Sequence, residues 1–207
     1  MNIMYLDRDP MLCARYHVNK HIIKMALEYA QQLCIAQYVD KFLGCRPDKL
    51  DTEELRIFKD KMKQTSLGHL PKLYPYIPAA YVNYPCSIWV RSDSNNYLYI
   101  KELLECINYE YQFRFKTNNH LEAYTSTRYL NPPDSLPVYS FTDPPISGTG
   151  KDCEVSDAVL SHRRYYFKYK KHLADWGNRS IPDWFNKESL FAESEYENIE
   201  SYSRSIN

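Results

Sequence analysis

Four ionisable side chains recur at short intervals in one stretch of the sequence: His17, His21, Lys24 and Glu28. At about 100° per residue of an α-helix they fall in one band covering about a sixth of the circumference. The remaining arc holds Val18, Ile22, Ile23, Met25, Ala26, Leu27 and Leu33. A polar band so narrow fits a buried helix lining a cleft better than one lying in open water. A lysine held near histidines in a dry cleft loses proton affinity and becomes a candidate amine nucleophile. Glu28 is then placed to move protons or to stabilise a developing positive charge. Two alternatives stay open. The stripe can be an ion-paired helix, Lys24 to Glu28 at i, i+4 with the histidines hydrogen-bonded in a core. Histidines at i, i+4 can also share a metal with Glu28 as third ligand, but Lys24 sits among them, so no metal is expected.

A second constellation lies at residues 162–171, which hold Arg163, Arg164, Lys168, Lys170 and Lys171 and no acid. Basic groups neutralise phosphates while Tyr165, Tyr166 and Phe167 offer stacking faces, which is the chemistry of a nucleic-acid contact. The alternative is a helix with core aromatics and solvated lysines. Arg114, Arg179 and Trp184 complete the expected DNA-binding set.

These residues need elements to hold them. Asp9 followed by Pro10 is a helix start, and no further proline or glycine intervenes until Gly44, so one long helix is expected over 9–44. Residues 2–6 form an apolar lead-in, a strand or an extended arm. Asp51 to Thr65 reads as an amphipathic, solvent-facing helix with Leu55, Phe58 and Met62 on its apolar edge. A helical pattern from Cys86 to about Phe115 has a kink or break at residues 94–96. A third long helix is capped by Ser156 or Asp157 and runs to about Asp175. Proline-rich stretches at 67–85 and 131–150 are irregular loops. The expected fold is therefore mainly α, a compact single-domain bundle of three long helices over 1–186, followed by an acidic, mobile tail at 187–207 with five glutamates.

Composition narrows the function classes. Twenty tyrosines and only five glycines describe a helix-rich, aromatic-packed chain, without the glycine pattern of a nucleotide-binding sheet. Lysine plus arginine equals aspartate plus glutamate, 26 each, so net charge alone points to no partner. The six cysteines are dispersed with no C-x-x-C pair, which fits a reducing cytoplasm without disulfides. No signal-peptide pattern or apolar run of membrane-spanning length is present, so no membrane partner is expected.

The order N-I-x-Y-L-D-x-D-P (Asn2 to Pro10), x-K-H-x-x-K-M-x-x-E-x-A-Q-x-L (through Lys20 to Leu33), P-C-x-I-W-V (Pro85 to Val90), E-Y-x-x-R (Glu110 to Arg114) and R-x-x-P-x-W-F (Arg179 to Phe185) resembles a widespread family of phage proteins. The phage family has a histidine before the P-C pair, where this chain has Tyr84. That family is similar, more distantly, to the phage-type pyrimidine-dimer DNA glycosylases, also called endonuclease V. Those compact helical enzymes flip a nucleotide, break the glycosidic bond through a Schiff base and nick the strand by elimination. Their first helix carries a histidine seven positions before a catalytic glutamate, a spacing that His21 and Glu28 match. Pro182, Trp184 and Phe185 resemble their DNA-facing aromatic segment. Their nucleophile is an α-amine exposed by removal of the initiator methionine. Here Asn2 is too bulky for efficient removal and the register sets Asp7 opposite the glutamate, so Lys24 is expected as the replacement amine.

The resulting expectation is a DNA base-processing enzyme, glycosylase-like, acting without a cofactor in a cleft between the first helix and the helix ending in Arg114. It would excise a damaged or modified base, with strand-nicking lyase activity as a further possibility. A noncatalytic phage DNA-binding accessory protein and a base-modifying transferase are the alternatives.

Overall fold

The computed structural model describes residues 2–77, 79–146, 148–186 and 190–191. Among them the chain is helical, with no strand. The helices are α1 (Pro10–Tyr16), α2 (Asn19–Leu43), α3 (Thr52–Ser66), α4 (Pro85–Ser92), α5 (Ser94–Phe115), α6 (Glu122–Thr127) and α7 (Ala158–Lys170). Only α2 and α5 exceed 20 residues, so the expected three long helices become two long helices with five shorter ones around them. The tail expected over 187–207 lies outside the described residues, apart from Leu190 and Phe191. Leu190 is buried and its carbonyl accepts from Arg164 Nε at 2.6 Å, so packing against α7 extends to these two residues.

Helix starts follow local chemistry. Asp9 accepts from the N–H groups of Met11 and Leu12, with Pro10 in the first turn. Asp51 and Glu54 form a reciprocal capping box, and Asp157 accepts from the N–H of Leu160. Gly44 ends α2 at φ 73°, a conformation that favours glycine.

The helix expected over 9–44 is broken at His17 and Val18, both of which have extended backbone. The break exposes carbonyls at the end of α1, and distant donors take them. Arg114 donates to the carbonyls of Arg15 at 2.7 Å and His17 at 2.6 Å, and Trp176 Nε1 donates to that of Tyr16 at 2.9 Å. On the other side of the break, Val18 N–H donates to the Tyr166 hydroxyl at 2.9 Å. Satisfying each of these buried groups makes an interrupted helix as well paired as a continuous one.

α2 runs through the centre, with α5 and α4 packed on it and α6 across its middle. The main core gathers its apolar face with Leu103, Leu104 and Ile107 of α5, Tyr166 of α7 and the buried extended arm Ile3 to Leu6. A second cluster joins Ile35, Tyr38 and Val39 of α2 to Phe58 and Met62 of α3, so α3 is docked by the apolar edge its sequence shows. Buried Arg91 ties down the connection before α3, donating to the carbonyls of Arg46, Asp48 and Val82. All six cysteines are free thiols. Among the described residues no helix is long and apolar enough to cross a membrane.

Candidate functional site

The break in the first helix separates the four residues of the stripe. His17 caps α1 and is fully buried. Its Nδ1 lies 2.7 Å from the Cys13 carbonyl, so Nδ1 carries the proton and Nε2 accepts from the Tyr29 hydroxyl at 3.2 Å. Burial pushes its pKa down to about 4. His21 is also buried, its Nδ1 2.8 Å from the Tyr166 hydroxyl, and it is pushed down to about 3. Burial dominates that shift, and the charges of His17, Lys170, Lys24 and His172 add to it. Both imidazoles are therefore neutral clamps at the junction of α1, α2 and α7. The core alternative holds for the histidines, which are closed off from solvent.

Lys24 and Glu28 lie at the surface, with Nζ 3.6 Å from Oε1 and side-chain exposures of 64% and 17%. Lys24 thus lacks the dry surroundings that the amine reading required. Glu28 is the more enclosed: its Oε2 accepts the backbone N–H of Asn2 at 2.9 Å. It is Asn2, not Asp7, that stands opposite the glutamate; Asp7 pairs with Arg163 at 2.8 Å. Around Asn2, the Tyr84 hydroxyl donates to its side-chain oxygen at 3.2 Å and Gln32 Nε2 to its carbonyl at 3.4 Å. Gln32 Oε1 is buried without a hydrogen-bond partner among the described residues. Sequence reasoning missed Asn2, Tyr84 and Gln32 as neighbours of Glu28. The i, i+4 spacing of Glu28 and Gln32 was the one available signal.

Most of the expected DNA-binding residues serve the fold instead. Arg114 has a side-chain exposure of 1%, and its Nε is 2.9 Å from Glu110 Oε2. Arg179 Nη2 donates to Glu110 Oε1 at 2.6 Å, and its guanidinium lies 3.6 Å from the centre of the Phe113 ring. Arg114 thus fills the space between the end of α1 and the end of α5. Arg163 donates to the Leu6 carbonyl and lies over the rings of Tyr16 and Trp184. Trp184 is half-buried against Tyr16, Tyr166 and Phe185, not presented outward. Arg164 is buried against Leu190 and Phe191, and Lys168 pairs with Asp152.

Among the described residues Lys170 and Lys171 have no acidic partner; their ammonium groups lie over the rings of Tyr165 and Phe167. Asn19 donates its N–H to the Asp175 carbonyl at 2.7 Å and His21 meets the Tyr166 hydroxyl, which brings the end of α7 and its basic groups beside the first turns of α2. Exposed Lys20 belongs to the same helix face, one turn before Lys24. Ile23 and Leu27 are exposed on the adjacent ridge. The result is a basic surface with an apolar strip, bordered by one enclosed carboxylate. Among the described residues no group of His, Cys, Asp and Glu side chains is arranged to hold a metal. Comparison with known protein families, curated proteins and solved structures finds no match.

Proposed function

We propose that the chain is a DNA base-processing enzyme of the glycosylase type, with Glu28 as the reacting carboxylate and the surrounding lysines as phosphate contacts. The observation that carries this reading is the Lys24–Glu28 pair on a helix whose first turn is held beside the end of α7 and its lysines, through the Asn19 N–H to the Asp175 carbonyl at 2.7 Å and His21 to the Tyr166 hydroxyl at 2.8 Å. Opposite ends of the chain thereby supply cations to one face that also presents an enclosed acid. Excision of a base leaves positive charge on the sugar, and a carboxylate held beneath it stabilises that charge or takes the proton of an attacking water. The nucleotide must leave the stack for this, and exposed Ile23 and Leu27 offer apolar surface to the bases left behind. The Asn2 N–H fixes one oxygen of Glu28, leaving the other toward Lys24. The motif resemblance to the phage-type pyrimidine-dimer glycosylases supports the same assignment. Lys24 acts here as a phosphate contact and as the partner of Glu28; His17 and His21 position the helices.

The test is release of a base from duplex oligonucleotides carrying a pyrimidine dimer or a modified pyrimidine. The intact chain should release it, and Glu28→Gln should lower the rate about 10²- to 10⁴-fold with DNA affinity within about twofold of the parent. Borohydride trapping during turnover reports whether Lys24 forms an imine and supports strand nicking. DNA binding without release on every substrate would replace this reading with the noncatalytic accessory protein. Modification that depends on a cosubstrate would replace it with the transferase.

A further inference from the structure

A cleft of about 470 Å³ opens between α2, α5 and α6, away from the residues named above. Two helices face each other across it with matching patterns. α5 presents Lys101, Leu104 and Glu105, and the end of α6 presents Tyr124, Thr127 and Arg128, each set spaced i, i+3, i+4 so that its members share a face. Leu33 of α2 and Leu104 are buried and make an apolar floor, and the Tyr129 ring stands at the mouth, 64% exposed.

This cleft also carries charge. Lys101, Glu105 and Arg128 all line it, yet none of them forms an ion pair among the described residues. Lys101 is turned to the side-chain oxygen of Asn131 at 3.2 Å, although Glu105 lies one helical turn away. Glu105 Oε1 accepts from the hydroxyls of Tyr109 at 3.2 Å and Tyr124 at 3.5 Å, which orients the carboxylate and leaves Oε2 without a donor among the described residues. The Arg128 guanidinium donates to no group among the described residues, whereas Arg46, Arg91, Arg114, Arg163 and Arg179 are each committed to several. An acceptor held in place on one wall, cations on the rim and an apolar floor beside tyrosine rings make a set of complementary anchors of ligand size.

We propose that this cleft binds a guanine nucleotide, free or within a single strand. The base lies on Leu33 and Leu104 beside the tyrosine rings, its N1–H and N2–H edge donates to Glu105, and its phosphate meets Arg128 and Lys101. Guanine is favoured because the donors on that edge sit side by side. Adenine and cytosine place a ring-nitrogen acceptor beside their amino group, and thymine flanks its one N–H with two carbonyls, so each would set a lone pair against the carboxylate.

The probes are GMP, AMP, guanosine, inorganic phosphate and a short guanine-containing single strand, titrated into the full chain by calorimetry. GMP should bind saturably, with AMP, guanosine and phosphate each weaker by about tenfold or more. Glu105→Gln and Arg128→Ala should each weaken GMP by about tenfold, with thermal melts showing that both variants fold. Tighter binding of the strand than of GMP, lost in the same variants, would assign the site to strand-borne guanine. No saturable binding of either ligand, AMP equal to GMP, or GMP affinity unchanged in both variants would overturn the proposal.

Discussion

His17, His21 and His162 each have their pKa lowered by burial from 6.5, to about 4, 3 and 4 respectively. Between pH 6.5 and about 4 the unfolded chain takes up protons that the folded protein refuses, so stability is fully present above pH 6.5 and is lost on acidification. For the enclosed His17 the loss is on the order of 3 kcal/mol. The carboxylates whose pKa values are lowered, Glu53 from 4.5 and Asp152 and Asp157 from 3.8, lose their contribution on acidification at the lower end of this window and beneath it. The urea midpoint should therefore fall between pH 6.5 and 4.5, and His17→Asn should flatten that dependence. A midpoint constant across this range would contradict neutral, buried imidazoles. Arg114 makes a second test at this scale. Arg114→Met would leave the Arg15 and His17 carbonyls unanswered and Glu110 short of a partner, a cost of about 3–5 kcal/mol in urea unfolding. Arg114→Lys should recover only part, because one ammonium lacks the fork that reaches three groups.

Elements in this protein are started by local side chains but positioned by distant ones. α3 begins in a capping box and docks through Phe58 and Met62 on the end of α2. Asp51→Ala should lower stability by about 1 kcal/mol, read from urea unfolding, through loss of the cap alone. A loss of several kcal/mol would mean that the cap also fixes the segment held by Arg91. α6 has only six residues and no side-chain cap, and it takes its place because Ala123 and Thr127 are buried against the neighbouring helices.

Across the whole molecule, the basic run at 162–171 divides into groups that hold the fold and groups that stay available. Arg163 is engaged by Asp7, Arg164 by the Leu190 carbonyl and Lys168 by Asp152, while Lys170 joins Lys24 beside His21. If DNA crosses this face, removing a phosphate contact should lower the slope of log affinity against log salt by about one for each lysine lost. Lys24→Met combined with Lys170→Met should reduce it by about two, measured by fluorescence anisotropy, while Arg164→Met should lower stability and leave the slope alone. An unchanged slope in the double lysine variant would move the DNA path to another face.

The sequence by itself determined the helical class and the main helix starts and stops. Asp9 with Pro10, Gly44, Asp51 with Glu54, and Asp157 act on backbone groups within a few residues, so their effects are readable from neighbours alone. It also carried the spacings of Lys24 with Glu28 and of Lys101, Leu104 and Glu105. Only the tertiary structure decided the break at His17 and Val18. Inside a helix each carbonyl is answered four residues on, and a gap in that ladder is stable only where other donors arrive. Here the donors are Arg114 and Trp176, while the Tyr166 hydroxyl accepts the Val18 N–H, all about 100 to 160 positions away. The same dependence on distance gave Arg114, Arg163 and Arg179 partners within the fold, the carboxylates of Glu110 and Asp7. It also brought α6 opposite α5 to form the cleft: a side chain's spacing fixes which face it shares, but its partner across space is fixed by the packing of the whole chain.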